Sequence, residues 1–133
     1  MQNNTVIEIY PKVWGEEHWI INKEYCGKKL VLKQGFRCSI HWHKLKDEVF
    51  YIASGCVLME VNGASKIMFP GEKQYIAPGD KHRFTGILDS DIFEFSTTHI
   101  EEDSYRDIPS GSISQQELHS LIERMKTEPR RCS

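Results

Sequence analysis

Two histidines separated by one residue, His41 and His43, followed by Glu48 and much later by His82, are the side chains of this sequence best suited to chemistry. Residues two apart on a β-strand project from the same face, so His41 and His43 can share one centre. Lys44 to Asp47 then turn the chain and Glu48 opens the next strand beside them. His82 arrives from a distant strand behind the turn Pro78-Gly79. Three imidazoles and one carboxylate suit a borderline divalent transition metal such as manganese, zinc, iron, nickel or cobalt, and leave coordination positions open for water or substrate. Open positions belong to catalytic centres more often than to structural ones.

Such a centre needs strands to hold it, and short alternating or β-branched runs fill the sequence. They cover 6–10, 18–21, 28–33, 37–43, 48–52, 57–61, 66–69, 73–76, 82–85 and 91–96. Turn chemistry separates them. Asn62-Gly63 is a type I′ hairpin signal, Pro70-Gly71 and Pro78-Gly79 are turns, and Ser54-Gly55 ends a strand. Many short strands with no helix between them predict an all-β barrel or sandwich. The tail differs: Ser114 and Glu117 form a capping box, Leu118, Leu121, Ile122 and Met125 repeat at helical spacing, and Pro129 ends the pattern. This stripe reads as a packing face laid on the barrel or on a second subunit, and Arg130 to Ser133 as a frayed end.

Composition narrows the function classes. A chain of 133 residues fits a single domain, read as a barrel over residues 1–111 with a helix and tail over 112–133 packed on it. Lys and Arg number 17 against 19 Asp and Glu, interspersed, so no basic face for nucleic acid is expected. No apolar run approaches a membrane span and no basic-then-apolar leader opens the sequence, which predicts a cytoplasmic protein without a membrane partner. The four cysteines, Cys26, Cys38, Cys56 and Cys132, lack CxxC spacing and are expected to be reduced thiols. Cys38 has the opposite strand parity to His41 and is expected to point away from the metal.

Parity also selects the cavity wall. Counting from Glu48, Phe50 and Ile52 face inward; from His82, Phe84 does; and Arg83 points away. In the last long strand Ile92, Glu94 and Ser96 share one face while Phe93 and Phe95 share the other, and the pattern does not decide which lines the cavity. Trp42 is expected to face opposite to its histidine neighbours. His18 and His119 read as polar surface.

The run Gly35, His41, His43, Glu48, Gly55 resembles the first motif of the cupin family, and Gly71 to Gly86, with Gly79 and His82, resembles the second. Ala77 stands where that motif usually has proline, and Gly86 where it usually has asparagine. The resemblance implies jelly-roll closure, so the fold class expected is all-β: a single cupin jelly-roll β-barrel with a short C-terminal α-helix. Over Trp14-Gly15 to Arg106 the chain also resembles the cupin domain of type II mannose-6-phosphate isomerases. The residues that carry this are Trp14-Gly15, Lys28, Ser39 to His43, Tyr75-Ile76, His82-Arg83, Glu94 and Glu102 to Arg106. His41 departs from that family, which typically has glutamine there. It is shared with the D-lyxose isomerases, which the chain resembles in Tyr25 to Lys28, Lys46-Asp47-Glu48 and Glu94 to Thr98.

Both groups interconvert aldoses and ketoses. This chemistry moves a proton between adjacent carbons while a metal polarises the carbonyl and stabilises an enediolate. The D-lyxose isomerase resemblance implies Glu94 and Lys46 as the acid/base pair. Facing inward on an apolar strand, Glu94 would have a raised pKa; facing outward it would be an ordinary ion-paired glutamate. Lys46, in a charged turn, reads equally as a solvated lysine. Lys28, matched in both groups, is placed near the mouth to bind a hydroxyl, carboxylate or phosphate, or else at the surface. Arg106 is placed to clamp an anionic substrate, or to pair with Glu101, Glu102 or Asp103. The expected function is a metal-dependent aldose–ketose isomerase acting on a small sugar or sugar phosphate. The alternatives are an iron-dependent dioxygenase and a non-catalytic cupin that binds a carbohydrate or other small molecule. A homodimer is expected from the N-terminal strand and tail helix, both available to a partner.

Overall fold

The computed structural model describes residues 5–129. Thirteen strands are found among them: β1 (Glu8–Lys12), β2 (Gly15–Asn22), β3 (Tyr25–Leu32), β4 (Phe36–Arg37), β5 (Ile40–Trp42), β6 (Glu48–Ser54), β7 (Val57–Val61), β8 (Ala64–Met68), β9 (Lys73–Ile76), β10 (His82–Gly86), β11 (Ser90–Thr97), β12 (Tyr105–Ile108) and β13 (Gly111–Ser112). A 3-10 turn covers Glu101–Asp103, and one helix, α1 (Gln115–Thr127), closes the described chain. The frayed end expected at Arg130 to Ser133 lies outside the described residues.

Two antiparallel sheets face each other. One runs β1-β2-β3-β11-β6-β9. In the other, β10 is flanked on one side by β7 and then β8, and on the other by β5 and β4, with β12 and β13 beyond them. β4 and β5 are thus two halves of one strand, interrupted at Cys38 and Ser39. This is the all-β jelly roll expected from the sequence, with its single short helix.

The expected strands are present, most of them extended by a few residues. β12 and β13 were not expected. The turns form as their residues dictate, and at the hairpin Asn62-Gly63 both residues take positive φ, 50° and 84°. Phe50, Ile52, Phe84 and Ile92 face inward and pack with Trp14, Leu30, Leu32 and Met59 into the barrel core. Ser114 caps α1 by accepting the Glu117 N–H. Leu118, Leu121, Ile122 and Met125 pack on Leu58, Ile67, Phe69 and Ile87, so the barrel itself covers the helix stripe.

Candidate metal centre and acid/base cavity

His41 lies in β5 directly opposite His82, the first residue of β10, while Glu48 is the first residue of β6. His43 follows β5 directly, one residue beyond a strand that was expected to include it. The ring nitrogens of His41, His43 and His82 come within 4.8 Å of one another, so these three histidines could hold a metal ion. Glu48 Oε2 is 3.6 Å from His43 Nε2 and 3.5 Å from His82 Nε2.

The hydrogen bonds behind the rings fix what faces the centre. His41 Nδ1 lies 2.8 Å from the Ser39 carbonyl, His43 Nδ1 2.8 Å from that of Asp103, and His82 Nδ1 2.9 Å from that of Asp80. A carbonyl only accepts, so each Nδ1 carries the proton and each Nε2 presents a lone pair. Desolvation by the barrel wall pushes His41 down to about 3 and His82 to about 4, which keeps both imidazoles neutral. His82 Nε2 and Glu48 Oε2 are buried without a hydrogen-bond partner. These orphaned buried acceptors fit a cation held by the three histidines, with the Glu48 carboxylate beside His43 and His82.

Asp103 organises the turn that spaces His43 from Glu48. Its carboxylate accepts from the backbone N–H groups of Lys44, Leu45 and Lys46, while its carbonyl holds His43. Nothing local separates it from its acidic neighbours, because its partners lie 57 to 60 positions away.

A cavity of about 320 Å³ opens in front of this group, and His41, His43, Lys28, Lys46, Glu94 and Arg106 are among the residues that line it. Glu94 faces inward, 5% exposed, whereas Phe95 on the opposite face is 53% exposed. Lys46 is buried, not solvated, and its Nζ lies 2.6 Å from Glu94 Oε2. The ion pair reverses one expectation. Burial does push the Glu94 carboxyl upward, but Lys46 and Lys28 outweigh it and hold the group below its ordinary range. Burial and the nearby Glu94 push Glu48 the other way, upward.

Lys28, directly across from Glu94 on β3, is only 2% exposed. Its ammonium pairs with Glu17 at 3.0 Å and sits 4.2 Å from the Trp19 ring centroid. Arg106 is exposed at the cavity rim, and its Nε donates to Ser39 Oγ at 3.3 Å. Asp103, one of the partners considered for Arg106, is taken up by the turn.

Cys38 corrects the sequence reading. It belongs to the barrel core and lines the cavity, because the interruption between β4 and β5 breaks the parity count from His41. Its thiol is pushed up to about 12 by burial, which keeps it protonated and a poor metal ligand. Trp42 does face away, stacked on Tyr105 with Lys81 over its ring, and Arg83 points outward to form a two-bond pair with Glu60. The sequence also missed His99, which lines the cavity, lies 3.0 Å from Lys46 Nζ and belongs to no recognisable motif.

No family model matches the chain, and no curated protein matches its sequence. Solved structures do resemble it. An RmlC-like cupin from Shewanella frigidimarina NCIMB 400 superposes with a TM-score of 0.67 at 17% identity, covering 76% of this chain and 92% of that one. The fold is a cupin jelly roll. Pac13 from Streptomyces, solved with uridine and described as a nucleoside dehydratase, gives a TM-score of 0.70 at 12% identity over 86% of this chain and 93% of its own. Oxalate decarboxylase from Bacillus subtilis gives 0.64 at 18% identity over 77% of this chain and 30% of that one. At these identities the likeness is one of fold, and a shared fold does not fix the reaction. No helix among the described residues is long and apolar enough to cross a membrane.

Proposed function

We propose that the chain is a metal-dependent aldose–ketose isomerase acting on a small sugar or sugar phosphate. The observation that carries this reading is the buried Lys46–Glu94 pair, on the wall of the cavity that His41 and His43 also line. In this reading His41, His43, His82 and Glu48 hold a divalent metal, either manganese, iron, nickel, cobalt or zinc. When bound, it supplies a Lewis acid that polarises the substrate carbonyl.

The chain's own residues supply the rest. Glu94, kept ionised by two lysines, takes the proton from the substrate carbon without first having to lose one of its own. Lys46 offers its ammonium to the substrate oxygens and stabilises negative charge as it develops there. Lys28, held by Glu17 and Trp19, hydrogen-bonds a substrate hydroxyl. Arg106 at the rim takes the phosphate of a phosphorylated substrate.

The test is metal analysis of the purified protein, then a screen under nitrogen against aldoses, ketoses and their phosphates. Interconversion with manganese, zinc, nickel or cobalt supports the reading. Ferrous-dependent oxygen uptake in a parallel run in air would replace it with a dioxygenase. A thermal shift with sugar but no turnover would replace it with a binding protein.

A further inference from the structure

The acid/base pair does not stand alone. Lys46 Nζ has a second neighbour, His99 Nδ1, at 3.0 Å, and the opposite ring nitrogen, Nε2, lies 2.8 Å from Glu101 Oε1. A carboxylate only accepts, so the Nε2 proton goes to Glu101 and Nδ1 offers its lone pair to the ammonium. His99 is itself clamped. Its N–H donates to Asn22 Oδ1 at 2.8 Å, its carbonyl accepts from Asn22 Nδ2 at 3.1 Å, and its ring packs edge-on against Trp19 at 5.2 Å. The side chain is 9% exposed, although it lies in the loop that follows β11.

We infer that His99 is a positioning residue for Lys46, and that Asn22 and Glu101 orient it for this role. An ammonium has three N–H donors on a flexible four-carbon stem. Glu94 takes one and His99 a second, which leaves one donor for a substrate oxygen. With Glu94 alone as partner, the ammonium could swing about a single hydrogen bond. A misplacement of about 1 Å at a reacting group costs on the order of 10²-fold in rate. A neutral ring acceptor fixes the position while leaving the positive charge uncancelled, which a second carboxylate would not do.

The inference rests on the isomerase reading of the same cavity, so its test has one arm that needs no turnover. His99→Phe keeps a ring against Trp19 but removes the acceptor, and His99→Asn keeps an acceptor near the Nδ1 position. The 15N signal of the Lys46 ammonium, visible while its protons exchange slowly in a buried pair, is expected to broaden or vanish in His99→Phe and persist in His99→Asn. With a turned-over sugar, His99→Phe should lower kcat about 10²-fold with KM little changed, and His99→Asn should recover most of the loss. Adding His99→Phe to Lys46→Met should cost nothing further. An unchanged ammonium signal, an additive double variant, or a loss that His99→Asn fails to recover would overturn the positioning role. A signal that changes as expected in a protein that turns over no sugar upholds that role and overturns only the isomerase reading.

Discussion

Lys46 Nζ and Glu94 Oε2 lie 2.6 Å apart with both side chains almost wholly out of water. The two residues are 48 positions apart in the sequence, one in the turn after β5 and the other in the middle of β11. Removing one partner of such a pair leaves the other as an uncompensated buried charge. Lys46→Met should therefore destabilise the protein by about 3–5 kcal/mol, read from the denaturant midpoint at constant m. Glu94→Gln should lower turnover by roughly 10²- to 10⁴-fold with metal content unchanged, and near-normal activity would remove Glu94 from the mechanism.

The same pair sets a pH dependence. The Glu94 pKa lies below its ordinary 4.5, because Lys46 and Lys28 outweigh the cost of burial. Below pH 4.5 the unfolded chain therefore binds a proton that the folded chain refuses. The contribution to stability is complete above pH 4.5 and is lost as the pH falls through the folded value. The difference in melting temperature between wild type and Glu94→Gln should change little from pH 7 to 5 and move against the wild type on further acidification. A difference that stays flat in acid would contradict the ion pair.

For the metal centre, His43→Ala should yield protein with little bound metal by elemental analysis, since it removes a ring that the Asp103 carbonyl already orients. Glu48→Gln should weaken metal binding by at least the ~10- to 100-fold that loss of an outer partner costs. A Glu48→Gln protein that keeps wild-type affinity would leave the three histidines as the whole ligand set.

Gly86 stands where the cupin motif that the sequence resembles usually has asparagine, and the difference has a steric basis. A Cβ at this position would sit 2.6 Å from the carbonyl oxygen of Lys33. Gly86→Asn, which restores the residue usual in the motif, should therefore destabilise the protein by about 1–3 kcal/mol, measured by chemical denaturation. A neutral or stabilising effect would mean that the Lys33 backbone yields.

The barrel and the histidines were legible because both depend on short-range rules. Parity placed Phe50, Ile52 and Phe84 correctly, as period-two alternation does wherever a strand is unbroken. It left Glu94 open because β11 carries large apolar side chains on both faces, Ile92 on one and Phe93 and Phe95 on the other. It failed at Cys38 because the chain leaves the strand between β4 and β5. Lys46 and Asp103 were obscured for another reason. A lysine or aspartate in a charged segment looks solvated until the partners that bury it arrive from distant strands. β12, four residues beside an acidic turn, has too little alternation to announce itself.

The carbonyls that orient the three imidazoles belong to Ser39, Asp80 and Asp103, so the cage draws its walls from segments far apart in the sequence. It cannot exist on a partly closed barrel. His82, at 1% exposure, is the most buried of the three rings, and it pairs across the sheet with His41. A parting of β10 from β5 would take His82 out of the donor set, so release of a metal ion to a strong chelator should quicken when that strand pair opens. The rate of metal loss becomes a clock for the breathing of the barrel.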